Sequence, residues 1–425
     1  MVSPASGVGN ATLQISVTAG SSGVVTINAP GAANSPGTIQ VQISTGVVKG
    51  PFGSFDTPLN AAKVSAAIPV TGWALDSIGI TKVDIWREPV GSETESLVYI
   101  GDAVFVPGAR PDVAQSFSSY PNANGAGWGY LLLTNFLPNA NFTRGSGNGM
   151  YTLHALAHNQ AGAVTDLGAR TINVDNADAT RPFGNIDTPA QGAIIWGNAY
   201  VNFGWALTPM PAAIPNDGTT ITVNIDGVTI AHPTYNQFRG DVATMFPGFA
   251  NSNGAIGYAY IDTTKLSNGL HAISWDAWDN ELRGNGIGSR FFTVLNVGTQ
   301  ANSGSAFSSL TSSEFDKSSP IRAATRASQP LAPVANSVIS LDVEEMDRIE
   351  LPVGAEWGYV VANGEKQPLP VGSTLKDGVL YWQLAPVFLG EYDMVFERPG
   401  AEPTHLRVTV HPRTSYSAGE RQALQ

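Results

Sequence analysis

Pro51-Phe52-Gly53-Ser54-Phe55-Asp56-Thr57-Pro58 returns as Pro182-Phe183-Gly184-Asn185-Ile186-Asp187-Thr188-Pro189, and Gly72-Trp73-Ala74-Leu75 returns as Gly204-Trp205-Ala206-Leu207. A repeat of about 130 residues is longer than a solenoid unit, so it reads as two copies of one domain side by side. Working outward, each copy carries short alternating stretches, such as Lys82-Val83-Asp84-Ile85-Trp86 and Thr220-Ile221-Thr222-Val223-Asn224-Ile225. Alternation at period two marks strands with one wet face, and Gly, Pro and Asn punctuate them as turns.

Composition agrees. Charged residues are 13% of the 425, and Gly (46) and Pro (28) stand in their place, which suits an all-β chain rather than one of long helices. Net charge is -12, with no basic stripe, so nucleic acid is not expected as a partner. There are no cysteines, which excludes disulfides and thiolate chemistry. No apolar run is long enough to span a membrane, and no leader peptide is legible after Met1.

The expected fold class is all-β, a set of tandem sandwiches joined by short linkers and one Ser/Ala-rich linker. Residues 1–48 form a partial sandwich, 49–180 the first repeat and 181–297 the second. A flexible linker spans 298–335, a further sandwich 336–412 and a tail 413–425. In the second repeat, Asn268-Gly269-Leu270-His271 and Ala277-Trp278-Asp279-Asn280 resemble bacterial Ig-like domains; the first departs from that pattern at His158-Asn159-Gln160. The opening Ser3-Pro4-Ala5-Ser6-Gly7 and its strands resemble the C-terminal half of a BACON-like domain. Leu369-Pro370-Val371-Gly372-Ser373 with Gly378-Val379-Leu380-Tyr381-Trp382 resembles cadherin-like putative Ig domains. These resemblances imply sandwich folds in a surface protein and say little of activity.

Each repeat holds a long insert, Val106 to Tyr130 and Pro233 to Tyr258, rich in aromatic residues. Phe117, Tyr120, Trp128, Tyr130, Phe249 and Tyr258 are the candidate ligand-binding residues, since ring faces suit the C–H faces of sugars. Trp128 leads them because its counterpart is apolar rather than a ring. The alternative is that these rings pack as a satellite core beneath a long loop. Asp112 and Asp241 read as helix caps, and the tripeptide Arg239-Gly240-Asp241, matched by Arg110-Pro111-Asp112, as part of the same cap. Trp73 and Trp205 are expected in the sandwich cores. Arg170 and Arg290 are expected to pair with Asp56 or Asp187.

Calcium is the metal that Asp175, Asp178 and Asp279 would suit, with no other cofactor expected. His154 and His158 lie about 13 Å apart if on one strand, too far to share an ion. Histidines are scattered and no nucleophile elbow is present, so the chain is expected to be non-enzymatic. The expected role is a secreted or cell-surface modular protein acting in adhesion, spacing or ligand binding, with glycans or other surface proteins as partners. The alternative is a carbohydrate-binding accessory region of a larger secreted glycoside hydrolase.

Overall fold

Strand pairs joined by turns account for most of the backbone in the computed structural model, which describes residues 22–27, 37–42, 50–138, 147–177, 179–296, 338–362 and 364–413. Met1–Lys49 form one unit and Gly50–Gln425 another. In the first, β1 (Ser22–Ile27) pairs antiparallel with β2 (Gly37–Gln42), Ser22 opposite Gln42. The rest of the expected partial sandwich lies outside the described residues, as do the 298–335 linker and the tail beyond Arg413.

The first repeat contains β3 (Phe52–Thr57), β4 (Ala62–Val64), β5 (Ala67–Leu75), β6 (Ile80–Arg87), β7 (Val98–Asp102), β8 (Val104–Phe105), α1 (Pro111–Ser116), β9 (Gly127–Leu133), β10 (Gly149–Asn159) and β11 (Val164–Val174). They form two sheets, β3-β5-β9-β8 and β4-β11-β10-β6-β7. The second repeat copies the plan with β12 (Phe183–Thr188), β13 (Ala193–Ile195), β14 (Tyr200–Leu207), β15 (Ile221–Ile225), β16 (Val228–Ala231), β17 (Thr234–Gln237), α2 (Gly240–Met245), β18 (Ile256–Ile261), β19 (Gly269–Trp278) and β20 (Gly284–Val294). Its sheets are β12-β14-β18-β17 and β13-β20-β19-β15-β16. In both copies the opening strand crosses between sheets at Thr-Pro, where proline cannot donate to a ladder. The crossed segment then runs parallel to the closing strand, β4 on β11 and β13 on β20. This split first strand over two antiparallel layers is an immunoglobulin-like sandwich.

A third sandwich has the same logic. It comprises β21 (Val338–Glu344), β22 (Arg348–Pro352), β23 (Trp357–Ala362), β24 (Glu365–Gln367), β25 (Ser373–Lys376), β26 (Val379–Gln383), β27 (Gly390–Glu397) and β28 (Thr404–His411). Its sheets are β21-β28-β27-β23-β24 and β22-β26-β25, with β21 parallel to β28. Trp382 is fully buried in it, edge-on to Phe388 and Tyr392 at 5.4 and 5.1 Å.

The two repeat cores solve one packing problem in opposite ways. In the first, Trp128 on β9 fills the space between the sheets, fully buried beside Phe55, and Ala155 on β10 faces it. In the second, Gly257 takes the place of Trp128, and Trp275 on β19 takes the place of Ala155. Gly72 and Gly204 make room for the indole in each copy: a Cβ at Gly72 would overlap the Trp128 ring, and one at Gly204 would stand 3.1 Å from Trp275. The large ring has moved from one sheet to the facing sheet with core volume roughly conserved. A polar pair has moved likewise. Asn159 donates to Asp76 (3.1 Å) in the first copy, and Thr208 donates to Asp279 (3.1 Å) in the second, so the Asp missing at position 159 stands at the partner position 76.

The three sandwiches of the second unit are not separate beads on linkers. The core of the third extends into Val106 and Ala109 of the first repeat and Ala272 and Phe291 of the second. The Tyr392 hydroxyl donates to the Ala109 carbonyl at 2.7 Å. A Cβ at Gly129 would overlap the Pro386 carbonyl, so the Pro386-Val387 turn lies directly on β9. Glu345 is completely buried in this junction, where Thr71 Oγ1 donates to its Oε1 at 3.0 Å and Thr57 lies at 3.4 Å. Burial pushes its carboxyl up to about 7. Between the repeats, Leu131, Leu133, Ala66 and Ala67 of the first pack against Phe183, Trp205 and Phe246 of the second. Small residues at the seams let backbones approach, which alternation alone does not reveal.

Candidate functional site

The inserts are anchored by a duplicated ion-pair brace. Proline suits the first turn of α1, where an amide would have no partner in the helix, and Asp112 follows it. Arg110 donates to Asp112 through Nε (2.9 Å) and Nη2 (2.7 Å), and through Nη1 to Asp56 of the opening strand. Arg239 repeats this with Asp241 (2.6 Å) and Asp187. The expected pairing of Arg170 and Arg290 with these carboxylates is therefore corrected. Arg170 donates to the Phe55 carbonyl and Arg290 to Asn185, because the insert arginines reach the opening-strand carboxylates first. Asp112 and Asp241 sit within the first turn rather than at the cap. Both charged ends of Arg239-Gly240-Asp241 are engaged with each other.

The aromatic residues of the inserts divide sharply. Phe117 and Tyr120 gather with Phe52 and Trp73, ring centroids 5.1 to 6.0 Å apart, and all four are half-buried. The matching cluster of Phe183, Trp205, Phe246 and Phe249 is closed: Trp205 is 0% exposed and Phe246 1%. The difference is the lid. Leu131, Leu133 and Phe136 of the first repeat cover the second cluster, Phe136 standing edge-on to Trp205 at 6.1 Å. Phe249 is half-buried at the rim of that closed cluster. Trp73 and Trp205 thus face the inserts, not the space between sheets, a correction that follows from strand parity: the neighbouring Gly72 and Gly204 are the inward positions.

Trp128, the leading candidate for stacking on a ligand, is instead a core residue with no exposed surface, and its counterpart is Gly257. Tyr130 is half-buried at the repeat–repeat junction. Its ring occupies the space that a Gly101 Cβ would take, and burial raises its phenol, partly offset by nearby Arg290 of the second repeat. Trp128 presents no face to solution.

The second repeat carries an open aromatic surface, and of its members only Tyr258 was a candidate from sequence. On the outer face of β12-β14-β18-β17, Phe203 and Tyr258 stand opposite each other in register, ring centroids 6.0 Å apart. Tyr260, next outward on β18, is 5.9 Å from Tyr258. Phe203 is 41% exposed and Tyr260 63%. Thr234 pairs with Tyr258, and it and Gln237 on β17 are exposed beside the rings. The same face of the first repeat carries Thr71, Gly129 and Leu131, all buried, because the third sandwich and the second repeat lie on it. Where a sandwich docks, the face carries Thr71 and Gly129; where none of the described residues packs on it, it bears three rings. Alternation in β14 and β18 marks these rings as outward-facing, yet parity alone does not say whether an outward face is covered.

The carboxylates suggested for calcium do not converge. Asp175 is exposed and accepts from the Ala177 amide at 3.2 Å. Asp178 lies outside the described residues. Asp279 is buried and saturated by its own turn: the amides of Glu281 and Arg283 donate at 3.0 Å, and Arg283 Nε at 3.0 Å. That makes it a turn anchor paired to a cation. Among the described residues no group of three His, Asp or Glu side chains could hold a metal. The histidines are engaged singly, His154 with Asp166 (2.7 Å) and His158 with Asp84 (2.9 Å). His271 is buried between Asp226 (2.6 Å) and the Ser267 carbonyl (2.8 Å). Two acceptors make both ring nitrogens donors, and although burial alone would lower its pKa, Asp226 raises it above the usual imidazole value. With both nitrogens committed, this dyad braces the hairpin. No helix among the described residues is long and apolar enough to cross a membrane.

No protein-family model matches the chain, and no curated protein matches it. Among solved structures, it is similar to the fibronectin(III)-like modules of Clostridium thermocellum CbhA, at 13% identity over 58% of this chain and 96% of that one, with a TM-score of 0.20. It is similar to the Bacteroides ovatus mixed-linkage glucan utilization locus protein SGBP-B in complex with a mixed-linkage heptasaccharide, at 11% identity over 86% and 71%, TM-score 0.18. The D00-D0 domain of Intimin gives 9% identity over 57% and 99%, TM-score 0.18. None of these likenesses is close enough to carry a residue from one chain to the other.

Proposed function

We propose that this chain is a non-enzymatic, secreted or cell-surface binding module whose joined sandwiches present the open face of the second repeat to a glycan. The observation that carries this reading is the contrast between matched faces: Thr71, Gly129 and Leu131 beneath packed domains, Phe203 and Tyr260 exposed with the half-buried Tyr258 between them. Exposed rings of this size are costly to leave in water and mark a surface with a partner. The tyrosine hydroxyls, Thr234 and Gln237 add hydrogen-bonding groups beside apolar ring faces, the mixture that a sugar's hydroxyls and C–H faces require. The BACON-like and cadherin-like resemblances at the two ends of the chain stand with a surface role. An accessory region of a glycoside hydrolase would use the same face.

Affinity electrophoresis against a panel of neutral polysaccharides tests the proposal. Retardation by at least one of them, with about tenfold loss of affinity in Phe203→Ala or Tyr260→Ala (roughly 1.4 kcal/mol each), is expected. Passage through every polysaccharide unretarded, or retention untouched by both substitutions, would refute it.

A further inference from the structure

The third sandwich meets each repeat at a seam that contains a buried group whose contacts need a proton. At the first seam this group is Glu345, which has no exposed surface. Thr71 Oγ1 donates to its Oε1 at 3.0 Å, the Thr71 and Thr57 hydroxyls lie 2.5 Å apart, and the Arg413 amide is 3.5 Å from Oε2. No Lys, Arg or His side chain among the described residues forms an ion pair with it. Asp56, the charge that acts on it, has the same sign and is itself held by Arg110. The Tyr392 phenol also lies in this seam, kept neutral by burial and bonded to the Ala109 carbonyl. Two hydroxyls and one long amide contact suit a neutral acid and are a poor substitute for water around a carboxylate.

At the second seam the Asp226-Gly227 turn between β15 and β16 lies on β26, so that a Cβ at Gly227 would stand 3.0 Å from the Trp382 nitrogen. Asp226 holds Ala272 by two bonds: its carboxylate accepts from the Ala272 amide at 2.9 Å, and its own amide donates to the Ala272 carbonyl at 2.8 Å. Ala272 belongs to the core of the third sandwich. His271 fixes that carboxylate from the other side through Nδ1, while Nε2 faces the Ser267 carbonyl and Phe292 stacks on the ring at 5.7 Å. A neutral imidazole has one N–H for these two acceptors, so loss of the proton breaks one of the contacts. In the same seam Asp276 lies under the influence of Arg348 and Glu350 of the third sandwich, and burial favours its neutral form.

We infer that the third sandwich is a proton-held clamp on the two repeats: its seams stay shut in mild acid and open more often, with the sandwiches themselves still folded, as pH rises through neutrality. The groups at the two seams act in one sense. Glu345 keeps its proton up to about 7 in the shut seam and up to 4.5 where water reaches it, and Asp226 holds the His271 proton above the usual imidazole range. Opening either seam therefore releases a proton, and a step that releases protons is favoured by rising pH. Between pH 5 and pH 8, Glu345 alone multiplies the opening constant roughly 70-fold, and His271 adds to this. The inference does not depend on the glycan reading, since neither seam includes Phe203, Tyr258 or Tyr260.

Thiol labelling tests it. The chain has no cysteine, so a single introduced thiol reports one place. Val387→Cys sets it in the first seam, where Val387 is wholly buried against Gly127 and Gly129. Val70→Cys sets it in the core of the first sandwich. Labelling of the full chain by an aromatic disulfide is followed from pH 5 to pH 8 and divided, at each pH, by the rate for the same thiol in urea. The seam thiol is expected to react faster than the core thiol throughout, and its normalised rate to rise roughly 70-fold or more. Glu345→Gln should cut that rise about tenfold or more, and His271→Asn, which keeps a donor to Asp226 but does not titrate, should also lower it. Equal rates for the two thiols would mean that the seam opens only with global unfolding, and would overturn the inference. So would a change of less than about fivefold across the range, or a rise left intact by either substitution. Should Val387→Cys fail to fold, hydrogen exchange of the Leu389 amide, which donates across the same seam to the Ala109 carbonyl at 3.4 Å, follows the opening in the unaltered chain. Protection there that stays level with pH, after correction for intrinsic exchange, overturns the inference equally.

Discussion

Replacing Glu345 by Gln changes how stability depends on pH. The wild-type carboxyl is wholly buried at the junction of the first and third sandwiches. The hydroxyls of Thr71 and Thr57 and the Arg413 backbone amide face it, the last at 3.5 Å. The Asp56 carboxylate, already braced by Arg110, pushes it further toward its neutral form. In the unfolded chain the group titrates near 4.5, and in the folded chain at about 7. Below pH 4.5 both states hold the proton and the site costs nothing extra. Between 4.5 and about 7 the unfolded state releases its proton while the folded state keeps it, so stability falls as pH rises. Above about 7 the loss levels off. The rise from 4.5 to about 7, at roughly 1.4 kcal/mol per pH unit, amounts to about 3 kcal/mol. Glu345→Gln keeps the shape and can still bond both threonines, but does not ionise. Urea unfolding of both proteins from pH 4 to pH 9 should therefore show curves that coincide in acid and separate through the window, the variant becoming more stable by about 3 kcal/mol. Parallel pH profiles would refute the reasoning.

Two further outcomes follow from the packing. Trp275→Ala should cost about 3–5 kcal/mol in denaturant unfolding, and adding Gly257→Trp should recover part of that loss, since the first repeat fills the same space from that strand; strictly additive losses in the double-mutant cycle would count against the exchange. Gly129→Ala should destabilise the chain by about 2 kcal/mol, because its Cβ meets the Pro386 carbonyl, whereas the matched substitution Tyr258→Ala on the open face should leave unfolding nearly unchanged; equal effects would mean the third sandwich is not seated on β9.

The duplicated Pro-Phe-Gly turn and the period-two alternation are local properties of the chain, and they were enough to establish an all-β body of repeated sandwiches. Parity along a strand says which side chains share a face, because successive Cβ atoms point to opposite sides. It does not say what lies over that face. Tyr258 and Gly129 hold one position in two copies, and only the seating of the third sandwich makes one a half-buried ring at the surface and the other a point of backbone contact. Likewise Trp128 reads in sequence as an unmatched aromatic residue in a loop-rich insert, but Gly257 and Trp275 show that its partner lies across the core, on a strand distant in sequence. Arg110 rather than Arg170 reaches Asp56 for the same reason: charges pair by distance in space, which the chain's folding decides. Sequence determined the sandwiches and their inward and outward faces. Tertiary packing alone decided which faces are covered, because burial belongs to pairs of surfaces and not to either strand alone.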